Sequence, residues 1–97
     1  MRRQQAIERL SANAGELRAL GVGALWLFGS TARGTSRVQS DVDLYFESAD
    51  PRLSLVELVA LQRRLGEMLS ARVDVMTRDS LHPALRAGIE SSAVRIF

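Results

Sequence analysis

The sequence predicts an α/β fold: one small mixed sheet of three to four strands with flanking helices. Three observations carry that expectation. Val22–Phe28 is a nearly continuous apolar run bounded by glycines, the pattern of a strand buried on both faces. Asp41–Glu47 and Ala71–Thr77 both alternate apolar with polar residues, as half-buried strands do. Between those two lies a long stretch of helical periodicity, so strands and helices alternate along the chain as in an α/β unit with one small sheet.

Taken in order, the apolar residues Ile7, Leu10, Ala14, Leu17 and Leu20 recur at helical spacing, so Gln4–Leu20 reads as one amphipathic helix stopped by Gly21. The first strand follows, with Trp26 and Phe28 read as core residues, and delivers Gly29-Ser30 at its carboxyl end. Thr31–Ser40 is rich in Gly, Ser, Thr, Arg and Gln and reads as a short helical turn and a loop, with Arg37 exposed in it. In the second strand Val42, Leu44 and Phe46 share one face, while Asp41, Asp43 and Tyr45 share the other, Tyr45 packing at the rim. After the turn at Asp50-Pro51, Ser54 and Glu57 form a capping-box signature ahead of Leu55, Leu58, Val59, Leu61, Leu65, Met68 and Leu69, predicting a helix over Ser54–Leu69. The third strand puts Val73 and Val75 on one face and Arg72, Asp74 and Met76 on the other. Ser80 and Pro83 are placed to begin a helix through about Ile89, with His82 a helix-start residue. Ala93–Phe97 reads either as a last short strand or as an apolar terminus docked on the body or a partner.

Ninety-seven residues allow one domain, 1–97, with a modest core. A hydrophobic fraction of 46% and a charged fraction of 25% are those of a folded globular chain. The formal charge of +2 is too small a bias to argue for direct nucleic-acid binding. With no cysteine, disulfides and thiolate metal sites are excluded. No apolar stretch approaches a membrane span and no signal-type run follows the start, so the expected setting is the cytoplasm.

The chemistry concentrates in FGSTARGTSRVQSDVDLYF, where ten residues separate Gly29-Ser30 from Asp41-Val42-Asp43. A tight Gly-Ser turn offers backbone N–H groups and a hydroxyl to phosphate, because glycine lets the backbone approach closely. Arg33, one turn on, can reach the same phosphates with a charged fork or serve as a structural arm pairing with an acid. Asp41 and Asp43, two apart on a strand, face the same way and can hold a divalent cation. Asp74, on a neighbouring strand with the same alternation, is the candidate third carboxylate, binding the metal that holds the attacking oxygen and accepting its proton. An all-oxygen site with open positions suits Mg²⁺, and two such ions would serve transfer of a nucleotidyl group from a nucleoside triphosphate.

The run Gly29-Ser30-x10-Asp41-x-Asp43 resembles the signature of the nucleotidyltransferase superfamily related to DNA polymerase β. The fuller string Gly29-Ser30-Thr31-Ala32-Arg33-Gly34 with Ser40-Asp41-Val42-Asp43-Leu44, in so short a chain, resembles the minimal nucleotidyltransferase (MNT) proteins. That resemblance implies a polymerase β palm-like fold, triphosphate binding by Gly29, Ser30 and Arg33, and metal binding by Asp41, Asp43 and Asp74, with Asp74 the base. It further implies an antitoxin that transfers AMP from ATP to a tyrosine hydroxyl of a HEPN-domain ribonuclease toxin encoded beside it. Two other readings differ in class. In one, the domain is a catalytically idle module that masks the toxin by stoichiometric contact; in the other, it is a small-molecule transferase of the aminoglycoside type, which usually carries a further helical domain. So open a site favours a protein acceptor, whose surface would complete it.

Overall fold

The computed structural model describes residues 1–35 and 41–97. Along these run α1 (Arg3–Ala12), α2 (Ala14–Ala19), β1 (Val22–Phe28), α3 (Gly29–Arg33), β2 (Val42–Ser48), α4 (Leu55–Leu69), β3 (Val73–Thr77), a 3₁₀ turn (Arg78–Ser80), α5 (Pro83–Ser92) and β4 (Val94–Arg95). The four strands form one sheet in the order β3-β2-β1-β4. β1 pairs antiparallel with β2 and β4, whereas β2 and β3 are parallel. A parallel pair needs a crossover, and α4 provides it.

Register decides which side chains share a face. Leu25 lies opposite Phe46 and Leu27 opposite Leu44, and on the other flank Leu44 lies opposite Val75. These residues join Ala6 and Leu10 of α1, Leu17 of α2, and Leu61, Leu65 and Leu69 of α4 in one buried core. Truncating one such leucine to alanine costs about 2–5 kcal/mol. The α4 start is held by Ser54, whose hydroxyl accepts the Glu57 N–H at 3.2 Å. Arg9 of α1 donates to the Leu69 carbonyl at 3.0 Å, satisfying a last-turn acceptor of α4. No helix among the described residues is long and apolar enough to cross a membrane.

The structure amends several expectations. The leading helix is broken in two at Asn13 (φ −105°, ψ 15°), whose side-chain amide donates to the Arg9 carbonyl at 2.7 Å. That local bond offers the backbone an alternative to the next helical turn. Trp26 and Phe28 are not in the core cluster; they lie half-buried on the sheet's other face, in register with Tyr45 and Asp43. Tyr45, expected at the rim, is 2% exposed. α5 starts at Pro83, with His82 as its cap through a 3.1 Å bond from the Ala84 N–H to Nδ1. Ser80 belongs instead to the preceding 3₁₀ turn. The terminus is a strand: Ile96 donates to the Leu25 carbonyl at 2.8 Å, and Leu25 donates to the Phe97 carbonyl at 3.1 Å. Arg37, read as an exposed loop residue, lies outside the described residues.

Candidate active site

Opposite the core, the second face of the sheet carries Phe28, Asp43 and Asp74 in a single row across β1, β2 and β3. The row lies where β1 ends and β2 and β3 begin, because β1 runs antiparallel to β2 and β2 parallel to β3. Alternation puts Asp43 and Asp74 on one face, and the register sets them side by side. Asp41 stands just before β2, exposed, as Asp74 is, while Asp43 is half-buried between them.

Gly29 is fixed here by two independent demands. Its φ of +75° lies in the left-handed region, and a Cβ added to it would run into the Asp43 carboxylate, with Asp43 Cγ at 3.2 Å and Cβ at 3.3 Å. Gly29 and Asp43, far apart in sequence, therefore pack directly against each other in space. From Gly29 the chain turns through α3 and ends it at Gly34, also left-handed at φ 74°, whose N–H donates to the Thr31 carbonyl at 3.2 Å. Ser30 sits half-buried in the first turn and its carbonyl accepts the Thr35 N–H at 2.9 Å. Arg33 is exposed in the last turn.

The electrostatics tie these groups together. Burial pushes the Asp43 carboxyl above its ordinary value, and the nearby Asp74 and Asp41 push it further, while Arg33 opposes them. Like-charged carboxylates gathered around a half-buried one destabilise its ionised form, a condition that a bound cation relieves. Among the described residues no three acidic or histidine side chains converge tightly enough to enclose a cation by themselves. Mg²⁺ does not require such a cage, since it binds through one or two carboxylates plus water and substrate phosphate. The donor set therefore fits Mg²⁺ held jointly with a nucleotide.

Beside Asp43 on the same face lies an aromatic cluster. Tyr45 stacks on Trp26 with ring centroids 5.0 Å apart and planes 17° from parallel, and Phe28 meets Tyr45 at 5.5 Å. Arg78 and Arg95 lie over the Trp26 ring at 5.4 and 5.3 Å. Sequence reasoning missed this use of Trp26, because a run without polar breaks hides which face each residue takes. It also missed two clefts at the site's borders. One, of about 250 Å³, lies between Phe28, Gly29 and Arg33 and the α5 residues Leu85 and Ile89. The other, of about 490 Å³, runs from Asp41 to Val59 and Arg63 of α4.

With this geometry in place, comparison with known proteins is informative. The model of the nucleotidyltransferase domain matches residues 7–96. A Methanocaldococcus jannaschii protein named for protein adenylyltransferase activity is 40% identical over 77 residues, spanning 79% of this chain and 82% of that one. The protein adenylyltransferase MntA of Thermococcus cleftensis is 33% identical over 87 residues, spanning 89% and 83%. A solved structure described as a minimal nucleotidyltransferase superposes with a TM-score of 0.83 at 29% identity, covering 97% of this chain and 95% of the other. The fold also matches, at TM-score 0.70 and 23% identity over 100% of this chain and 73% of that one, a chain of a toxin-antitoxin structure with AMP-PNP.

Proposed function

Because the chain belongs to the nucleotidyltransferase domain family, among the minimal members that include MntA, we propose that it transfers AMP from ATP to a protein hydroxyl. The acceptor is a tyrosine of a HEPN-domain ribonuclease toxin encoded beside it, and the transfer neutralises that toxin in the cytoplasm. Two fold matches support the partner: the MntA–HepT toxin-antitoxin complex, and a tri-AMPylated HEPN toxin of Shewanella oneidensis bound to an MNT antitoxin. The observation that carries the catalytic reading is Asp43 wedged against Gly29 with Asp74 in register beside it.

In this reading Gly29 and Ser30 present backbone N–H groups and a hydroxyl to the β- and γ-phosphates, and Arg33 adds charge from the same turn. Asp41, Asp43 and Asp74 would hold Mg²⁺, which when bound supplies charge neutralisation at the α-phosphate and lowers the pKa of the attacking hydroxyl. The acceptor oxygen attacks the α-phosphorus, an O–P bond forms, the bond to the β-phosphate's bridging oxygen breaks, and pyrophosphate leaves. Asp74, on the exposed side of the row, takes the hydroxyl proton. The Trp26–Tyr45–Phe28 cluster flanks Asp43 with apolar surface on the same face, which strengthens the charge interactions there.

The test is intact-mass spectrometry of the HEPN protein incubated with this protein, ATP and Mg²⁺. Added AMP units that vanish when the acceptor tyrosine is changed to phenylalanine support the reading. No mass increase under any divalent cation rejects it.

A further inference from the structure

The row of acids is walled on one side and open on the other. α5 and β4 stand on the β1 side, whereas β3, which carries Asp74, is an edge strand with no neighbour beyond it among the described residues. Along that open side runs the cleft of about 490 Å³, whose lining joins Asp41 to Val59 and Arg63 of α4 and to Arg72 before β3. A polypeptide lying in it would reach the row of acids at its Asp41 corner.

The surface leading into this cleft is unusual for solvent. Leu55, Val56 and Val59 are 75%, 78% and 60% exposed, three large hydrophobics within about one turn of a helix whose other face fills the core. Val56 lies one turn before Val59 on the same side of α4 and so extends the cleft's apolar wall. Its charges have one dominant sign away from Asp41. Arg72 has no ion pair among the described residues, and Arg63 reaches only Glu67, at 3.8 Å with both side chains largely exposed.

We propose that this groove, formed by the outer face of α4 and the β3 border, is the docking surface for the acceptor polypeptide. The segment it fits carries an apolar residue for Val56 and Val59 and carboxylates for Arg63 and Arg72, close to the hydroxyl that is modified. The inference rests on the transferase reading above and adds where the acceptor binds and what flanks the modified residue.

The test measures AMP transfer to the neighbouring HEPN protein by Val56→Asp/Val59→Asp and by Arg72→Glu, with binding of the same protein followed in parallel by calorimetry. Each change lies on an exposed surface, and circular dichroism checks that folding is kept. The expected result is a KM for the HEPN protein raised about tenfold or more, with kcat and the KM for ATP unchanged. Unchanged KM and affinity in both variants overturn the docking surface while leaving the transferase reading intact. A wild-type protein that binds ATP and Mg²⁺ but neither binds nor modifies the HEPN protein overturns both. A concentration-dependent dimer of this chain that Val56→Asp/Val59→Asp abolishes assigns the face to a second copy and also overturns the proposal.

Discussion

One face of one sheet carries two regions with opposite electrostatic designs. At the end where β1 stops, Asp43, Asp74 and Asp41 bring like charges together, and the central carboxyl is pushed upward by burial and by its neighbours. Towards the other end, Arg78 bridges Glu47 and Glu90, with a 2.9 Å bond to Glu90 Oε1 that Arg86 shares at the same distance. There Glu90 is held below its ordinary value by Arg78 and then Arg86, and Arg78 is raised further by Glu90 and Glu47. Complementary charges satisfy themselves and ask for nothing. Clustered like charges on a half-buried site cost stability and are relieved by a ligand, the usual trade between activity and stability.

Neutralising the acid end gives the largest expected effect. Asp43→Asn removes the proposed metal ligand at the centre of the row and should lower AMP transfer by about 10³-fold or more. The same change relieves the repulsion with Asp74 and Asp41, so the metal-free protein should melt no lower than wild type. An inactive variant that is also strongly destabilised would break the comparison, because Asp43 would then be a structural residue. Adding Mg²⁺ and ATP should raise the melting temperature of wild type and leave Asp43→Asn nearly unmoved, as linkage requires of a ligand bound through that group.

Gly29 tests whether the two motifs are mechanically one. Replacing it with alanine forces a left-handed conformation on an L residue, at about 1–2 kcal/mol, and drives a methyl into the Asp43 side chain. In a double-mutant cycle with Asp43→Ala, the backbone cost and the tight contact with the residue-43 Cβ should remain while the clash with the carboxylate disappears. A positive coupling measured by urea unfolding confirms the contact, and strict additivity denies it.

Much of this was legible in the sequence, and the limits have physical causes. The strand patterns, the Ser54 cap and the spacing of Gly29-Ser30 to Asp41 and Asp43 survive folding because each depends on local geometry. Period-2 alternation assigns Asp74 a face but not a neighbour; that β3 runs parallel beside β2 with Asp74 opposite Asp43 is a matter of long-range register. Trp26 and Phe28 were misplaced for the same reason, since a strand apolar on both sides does not say which side meets the helices. Asn13 breaks the leading helix through a side-chain bond that apolar periodicity cannot register. The Arg78–Glu90 pairing, from residues twelve apart on two elements, left no pattern to read.

The smallest expected effect concerns acidity, and it separates the two regions by sign. Glu90 has a folded pKa below its unfolded value, so its contribution is fully present above the unfolded value and is lost as pH falls through the folded one. Asp43 has a folded pKa above its ordinary 3.8, so its ionised form costs stability at neutral pH, and that cost fades as pH falls through the raised value. On acidification of the metal-free protein, relief at Asp43 therefore comes first and loss at Glu90 follows at lower pH. Melting curves from pH 7 downward should show Glu90→Gln less stable than wild type at neutral pH and converging with it in acid. Asp43→Asn should instead differ most at neutral pH in the opposite direction. If both variants shifted the profile the same way, the contrast between a self-satisfied network and a strained, ligand-seeking one would have to be abandoned.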